Sequence, residues 1–148
     1  MAIDRMDWHY GGDFPEGLPE ENGGTHIGIY LAWIINNGLE GDFHREESAE
    51  ELEKVRKREM TGRDFLQKMC DEKFWDEDLS EEGYDFTLDY YSNEEGYVEG
   101  GYVSDYEKVL VEGKYESVYH VDDTWENYDK IASVITQKYE QWKVKQSK

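Results

Sequence analysis

One nearly uninterrupted apolar stretch, residues 27–35, constrains the fold more than any other part of this chain. At the 3.6-residue period of a helix, Ile27 and Ile34 lie on one face, while Trp33 lies on another. A helix that is apolar nearly all round has no face that suits water, so it belongs inside a domain. We therefore expect a central helix around which the remaining segments pack.

Cap signals predict the bounds of the helices. The central helix is expected to begin at a Thr25 cap and to end at Gly38, which suits a left-handed stop. Residues 115–121 combine β-branched and aromatic side chains, which predicts an extended segment. Further helices are predicted after the capping residues Ser48, Thr61, Ser80 and Asp123, and over residues 102–110.

The fold class that follows is mainly α, with minor β structure. We predict a single compact domain, residues 1–148, of about five to six helices around the central apolar helix. Glycines and both prolines crowd residues 7–24, which predicts an irregular Gly/Pro-rich segment. Residues 144–148 are predicted to form a frayed tail.

Acidic residues are concentrated between residues 71 and 128. This stretch holds 19 Asp or Glu against three Lys, and nine of the twelve tyrosines. The whole chain has a formal charge of −20, so a basic face for nucleic acid or for an anionic membrane is not expected. Carboxylates interleaved with rings suit a surface that attracts and holds a basic protein. The alternative is that the acidity only keeps the protein soluble.

The same features bear on location and assembly. The apolar stretch is too short to cross a bilayer, and the first ten residues lack the basic and apolar regions of a signal peptide. Cys70 is the single cysteine, so no disulfide framework and no thiolate cluster are expected. These features predict a cytoplasmic protein, and its aromatic surface makes a homodimer possible.

The histidines offer little for catalysis. His9 lies near Asp13 in a glycine-rich loop, and His120 lies two residues before Asp122. Neither spacing matches a known metal-ligand signature, such as two His four residues apart on a helix. Acidic neighbours raise the pKa of the Cys70 thiol and make it a poor nucleophile. We predict no catalytic residue, no cofactor and no enzyme, with His9, Asp13, His120 and Asp122 as the candidates for a metal.

Two segments rich in aromatic and acidic residues, around Trp75 and around Trp125, are candidates for a partner-binding surface instead of a catalytic site. Each tryptophan either packs inward while the acids are solvated, or forms part of a hydrophobic patch ringed by carboxylates. Under the second interpretation the partner-binding residues are Trp75, Asp76, Glu77, Asp78, Glu94, Glu95, Tyr97 and Glu99.

Several segments together resemble a family of small uncharacterised bacterial proteins, a domain of unknown function. The segments are residues 4–15, 25–28, 71–75 and 119–128. The family supplies no catalytic residues, but its size and acidity are similar in type to immunity proteins of bacterial polymorphic toxin systems. The resemblance implies an immunity protein that occludes the basic surface of a cognate, nuclease-like toxin. The alternative is a small metal-binding protein or enzyme built on His9, Asp13, His26 and His120.

Overall fold

A fully buried helix, α2 (Thr25–Asn36), occupies the centre of the protein in a computed structural model that describes residues 2–146. Every side chain from Thr25 to Ile35 is buried, as the apolar pattern predicted. Gly38 has a φ of +68° and ends the helix in the left-handed conformation that suits glycine. The predicted cap at Thr25 is wrong, because Gly24 is the N-cap and the Thr25 hydroxyl accepts a hydrogen bond from Arg63.

Shorter helices and one long helix pack around α2, which confirms a mainly helical, compact domain. Thr61 and Ser80 cap α5 and α6 as predicted, because each hydroxyl accepts the backbone N–H three residues later. The helices are α1 (Met6–Tyr10), α3 (Asp42–Glu47), α4 (Ala49–Arg56), α5 (Gly62–Met69), α6 (Glu81–Tyr90), α7 (Tyr102–Tyr106, followed by a π-helical turn over Glu107–Val111) and α8 (Trp125–Gln146).

The minor β structure consists of two small antiparallel pairs. β1 (Ala2–Arg5) pairs with β2 (Lys73–Trp75), and Asp4 is opposite Phe74 in the register. β3 (Ser92–Asn93) pairs with β4 (Gly96–Tyr97) in a short hairpin that packs beside β1. This arrangement brings Asp4 of β1 and Tyr97 of the hairpin to the same place.

The backbones of α2 and α5 touch at a pair of glycines. A Cβ atom added to Gly62 would lie 1.8 Å from the carbonyl oxygen of Gly28, so no larger residue fits without a shift of one helix. Close contact here fixes α5 against the central helix. It also fixes Cys70, which directly follows α5.

Three local predictions differ from the structure. Residues 7–24 are not irregular throughout, because α1 covers residues 6–10 and a 3-10 turn covers Glu20–Gly24. The extended segment predicted at 115–121 is instead a 3-10 turn over Val118–His120, capped by Ser117. The predicted frayed tail is helical as far as Gln146, and residues 147–148 lie outside the described residues.

Within residues 2–146, no helix is both long and apolar enough to span a membrane.

Candidate functional site

A buried carboxylate, that of Asp4, is the centre of the candidate site. Asp4 is fully buried, and among the described residues its ion-pair partners are two histidines rather than a lysine or arginine. His9 Nε2 lies 2.8 Å from Asp4 Oδ1, and His26 Nε2 lies 3.4 Å from Asp4 Oδ2. Burial alone would raise the pKa of Asp4, but the hydrogen bonds and charges of His26 and His9 hold it well below its usual value. The carboxylate is therefore ionised.

Further donors occupy both oxygens of this carboxylate. The phenols of Tyr91 and Tyr97 donate to Oδ2 of Asp4 at 2.7 and 3.1 Å, and the backbone N–H of Arg5 donates to Oδ1 at 2.8 Å. Burial and the Asp4 charge raise the pKa of both tyrosines, so they remain protonated donors. Because its lone pairs are already used, Asp4 is better suited to orienting its neighbours than to coordinating a metal ion.

The network determines which nitrogen of His9 carries a proton. An ionised carboxylate only accepts hydrogen bonds, so the Nε2 atom of His9 donates to Asp4. An imidazole that carries one proton, on Nε2, has its lone pair on Nδ1, which lies 2.7 Å from the phenol oxygen of Tyr119 and accepts a hydrogen bond from that hydroxyl. Asp4, His9 and Tyr119 thus form a continuous chain from the core to a half-buried ring.

His26, like His9, directs its Nε2 atom toward Asp4, but its other ring nitrogen is unpaired among the described residues. Burial lowers the pKa of His26, and the interaction with Asp4 opposes this only in part, so the ring is neutral near neutral pH. Its Nε2 atom faces Asp4, which leaves the lone pair on Nδ1. Within residues 2–146, Nδ1 of His26 is buried and has no hydrogen-bond partner. An unpaired buried nitrogen is costly, and such groups are often functional.

A pocket of about 500 Å³ opens over these histidines. Its apolar wall is built from valines, and its polar lining contains imidazoles, phenols and two carboxylates but, among the described residues, no lysine or arginine. The side chains that line it are His9, His26, Tyr97, Val103, Glu107, Val111, Glu116, Ser117, Val118 and Tyr119. The pocket therefore combines an acid–base network with a surface that suits neutral or cationic molecules.

The predicted metal candidates are not assembled. Asp13 is exposed, His120 contacts Ser117 and Glu116, and Asp122 accepts a hydrogen bond from Tyr115. In the described part of the chain, no potential metal-binding group contains Asp13, His120 or Asp122. His9 instead joins Asp4 and His26, in the chain order 4, 9 and 26. His26 was among the alternative candidates, but no local signal pointed to Asp4, Tyr91 or Tyr119.

Six of the eight predicted partner-binding residues are exposed, whereas Asp76 is half-buried and Asp78 is buried. Trp75 and Tyr97 are 37% and 48% exposed, and the glutamates at 77, 94, 95 and 99 are exposed as well. Asp78 is buried, and its carboxylate contacts His44 Nε2 at 2.6 Å, so its assignment to a binding surface is wrong. The local pattern of acids around Trp75 gave no sign that one of them points inward.

Comparison with known proteins identifies the family. A family described as a domain of unknown function (DUF7832) matches residues 2–121. The chain belongs to this family. The match contains every residue of the Asp4 network and ends before α8. No curated protein and no solved structure matches the chain.

Proposed function

We propose that this protein binds a small neutral or cationic molecule in the pocket and acts on it by acid–base chemistry. The observation that carries the proposal is the buried Asp4 carboxylate, which orients two histidines that both line one pocket. Paired histidine and carboxylate groups beside a cavity are typical of sites that move protons. This is the enzyme alternative of the sequence analysis, with Asp4 in place of Asp13.

The negative charge of the pocket favours a neutral or cationic ligand. Glu107 and Glu116 line it, no lysine or arginine of residues 2–146 does, and the chain as a whole has a charge of −20. Phosphates and carboxylates would be repelled, whereas amines and neutral polar molecules would not. The valines at 103, 111 and 118 supply an apolar wall for the rest of the ligand.

His26 is the proposed general base. A proton that leaves the ligand bonds to Nδ1 of His26, and the imidazolium that forms is stabilised by the adjacent Asp4 carboxylate. Nδ1 is shielded from solvent, so a neighbouring ring has to move before a ligand reaches it. Of the three rings around His26, those of His9 and Tyr106 are buried and that of Tyr119 is half-buried. Tyr119 is therefore the proposed gate.

Matched probes test the binding half of the proposal. Benzylamine, benzamide and benzoate share one ring and differ in charge. We expect the first two to shift the methyl NMR signals of Val103, Val111 and Val118, and benzoate to leave them unchanged. Glu107→Gln should weaken benzylamine binding, while Glu140→Gln on α8 makes the same charge change outside the pocket lining. Equal binding of benzoate, or no shift with any probe, would contradict the proposal.

A neutral ester tests the chemical half. Hydrolysis of 4-nitrophenyl acetate is accelerated by imidazoles that retain a free lone pair, so His26→Asn should lower the protein-dependent rate by about tenfold or more. His120→Asn is the matched control, because His120 is half-buried and outside the Asp4 network. Equal rates in the wild type and the two variants would show that His26 is not a reactive base.

The surface supports a second candidate, a cytoplasmic immunity protein that occludes a basic, nuclease-like toxin. The supporting observation is that two partly exposed rings, Trp75 and Tyr97, lie among exposed glutamates. Both rings lie on segments beside β1. Trp75 of β2 pairs with Ala2, and the β3–β4 hairpin that contains Tyr97 packs beside the same strand. Rings rimmed by carboxylates suit a basic partner that arrives by electrostatic attraction.

The toxin hypothesis is tested with the product of any toxin gene found beside the gene for this protein. Asp76→Asn combined with Glu77→Gln should weaken binding by about tenfold, and higher salt should weaken wild-type binding. The pair Glu50→Gln and Glu140→Gln makes the same charge change on α4 and α8 and should have little effect. Binding that is insensitive to salt and to the first pair would exclude an electrostatic interface at this surface.

A further inference from the structure

A second buried cluster, separate from the Asp4 pocket, joins three segments of the chain. His44 lies on α3, Cys70 follows α5, and Asp78 ends the 3-10 turn over Asp76–Asp78. His44 Nε2 lies 2.6 Å from Asp78 Oδ1, and Cys70 Sγ lies 3.7 Å from the same nitrogen and 3.6 Å from the same oxygen. A nitrogen, a sulfur and an oxygen therefore converge on one point.

The remaining polar atoms of these side chains are held by other groups. His44 Nδ1 lies 3.2 Å from the hydroxyl of Ser48, and Asp78 Oδ2 accepts the backbone N–H of Trp75 at 2.7 Å. Metal ligands are usually oriented in this way, by a hydrogen bond on the atom that does not face the metal. In the Asp4 network the Arg5 N–H and the Tyr91 phenol, which are not candidate ligands, occupy both carboxylate oxygens, whereas the contacts of Asp78 Oδ1 among the described residues are with His44 and Cys70.

We propose that His44, Cys70 and Asp78 bind a single zinc-type divalent metal ion, with water as the fourth ligand. Imidazole, thiolate and carboxylate are the three side-chain groups that zinc selects. In a tetrahedral zinc site the ligand atoms lie roughly 3.2–3.7 Å apart, given the usual metal–ligand bond lengths. Both sulfur distances already fall in this range, so binding requires only that His44 and Asp78, now 2.6 Å apart, separate by roughly 0.6–1 Å.

The protons of the bound site can be traced. The Cys70 thiol loses its proton to solvent as the sulfur–metal bond forms. The proton on Nε2 of His44 moves to Nδ1, where the Ser48 hydroxyl accepts a hydrogen bond from it. The cluster then contains two anionic ligands and one divalent cation and has no net charge. Without a metal, burial and then Asp78 raise the pKa of Cys70, so the thiol is protonated and reacts slowly.

Cobalt(II) tests this site because Cys70 is the single cysteine of the chain. A cobalt–thiolate bond gives a charge-transfer band in the near ultraviolet, and histidine or carboxylate ligands alone do not. We expect the band to saturate at one equivalent of Co²⁺, to disappear in Cys70→Ser, and to be displaced by Zn²⁺. His9→Asn is the matched control, since it alters the Asp4 network and should leave the band unchanged.

Alkylation supplies a measurement that does not depend on a folded variant. One equivalent of Zn²⁺ should slow the modification of Cys70 by iodoacetamide in the wild-type protein by about tenfold or more, as mass spectrometry would show. Absence of the cobalt band, together with alkylation that zinc does not slow, would overturn the proposal. Either result is independent of ligand binding in the Asp4 pocket, because none of the described residues that line this pocket contains sulfur.

Discussion

At the scale of single residues, Asp4 shows why the site was invisible in the sequence. Its nearest phenolic donor, Tyr91, lies 87 positions away and directly follows α6, so the two residues meet only when β1 and α6 have folded together. No short motif encodes such a contact. The histidines were recognised as candidates, but their predicted carboxylate was Asp13, which is exposed. The sequence pattern placed His9 with its neighbour Asp13, whereas the fold places it beside Asp4.

Replacement of Asp4 by asparagine tests the network. Asp4→Asn retains the size of the side chain but turns one accepting oxygen into a donor that faces His9 or a tyrosine. Because buried donors are then left unpaired, we expect the free energy of unfolding to fall by about 2–4 kcal/mol in urea denaturation. Asp13→Asn, at an exposed position, should change it by less than about 0.5 kcal/mol.

His26 gives the pH dependence a definite sign. Its pKa is lowered from 6.5 in the folded protein, so the unfolded chain binds more protons below that pH. The stability that neutral His26 contributes is present above about pH 6.5 and is lost as the pH falls through the folded pKa. Acidification also relieves repulsion among 36 acidic residues, which acts in the opposite direction. The informative quantity is therefore the difference in the free energy of unfolding between the wild type and a variant that lacks His26.

We expect the stability advantage of the wild type over His26→Asn to shrink between about pH 7.5 and about pH 5.5. Urea denaturation of both proteins at each pH measures it. His120→Asn should show no comparable trend, because His120 is half-buried and does not contact Asp4. A constant difference across the range would contradict a lowered pKa for His26.

At the scale of elements, local signals predicted what local contacts determine. The caps at Thr61 and Ser80 were correct because each hydroxyl bonds a backbone N–H only three residues away. α1 was missed because five residues are too few to indicate a helix, and its burial of His9 comes from distant segments. Ser48 precedes α4 as expected, yet its hydroxyl contacts His44 instead of capping the helix.

The contact of α2 with α5 gives the sharpest prediction for an element. Gly62→Ala would place a methyl group 1.8 Å from the carbonyl oxygen of Gly28, and backbone cannot yield there without separating the helices. We expect a loss of about 3 kcal/mol or more, measured as a fall in thermal midpoint. Gly12→Ala is the control, because its nearest neighbour would lie at 3.5 Å, an ordinary contact distance. Similar midpoints for the two variants would argue against close packing at Gly62.

At the scale of the whole molecule, the charge of −20 and the buried network act on stability in different ways. Repulsion between surface carboxylates extends over the Debye length, which falls from roughly 30 Å at 0.01 M salt to roughly 3 Å at 1 M. Hydrogen bonds to buried Asp4 are short-range and hardly screened. Salt should therefore weaken the repulsion between surface carboxylates and leave the stabilisation by the Asp4 hydrogen bonds unchanged.

We expect the thermal midpoint of the wild type to rise by several degrees between about 0.01 M and about 1 M NaCl. A variant with Glu94, Glu95 and Glu99 replaced by glutamine removes exposed charges from and beside the hairpin, so it should be more stable at low salt and respond less to added salt. The penalty of Asp4→Asn should be the same at both salt concentrations, because its partners are inside the protein. A penalty that fell with salt would mean that the Asp4 charge is felt mainly through solvent, and the pocket would then lack the dry acid–base network on which its proposed chemistry depends.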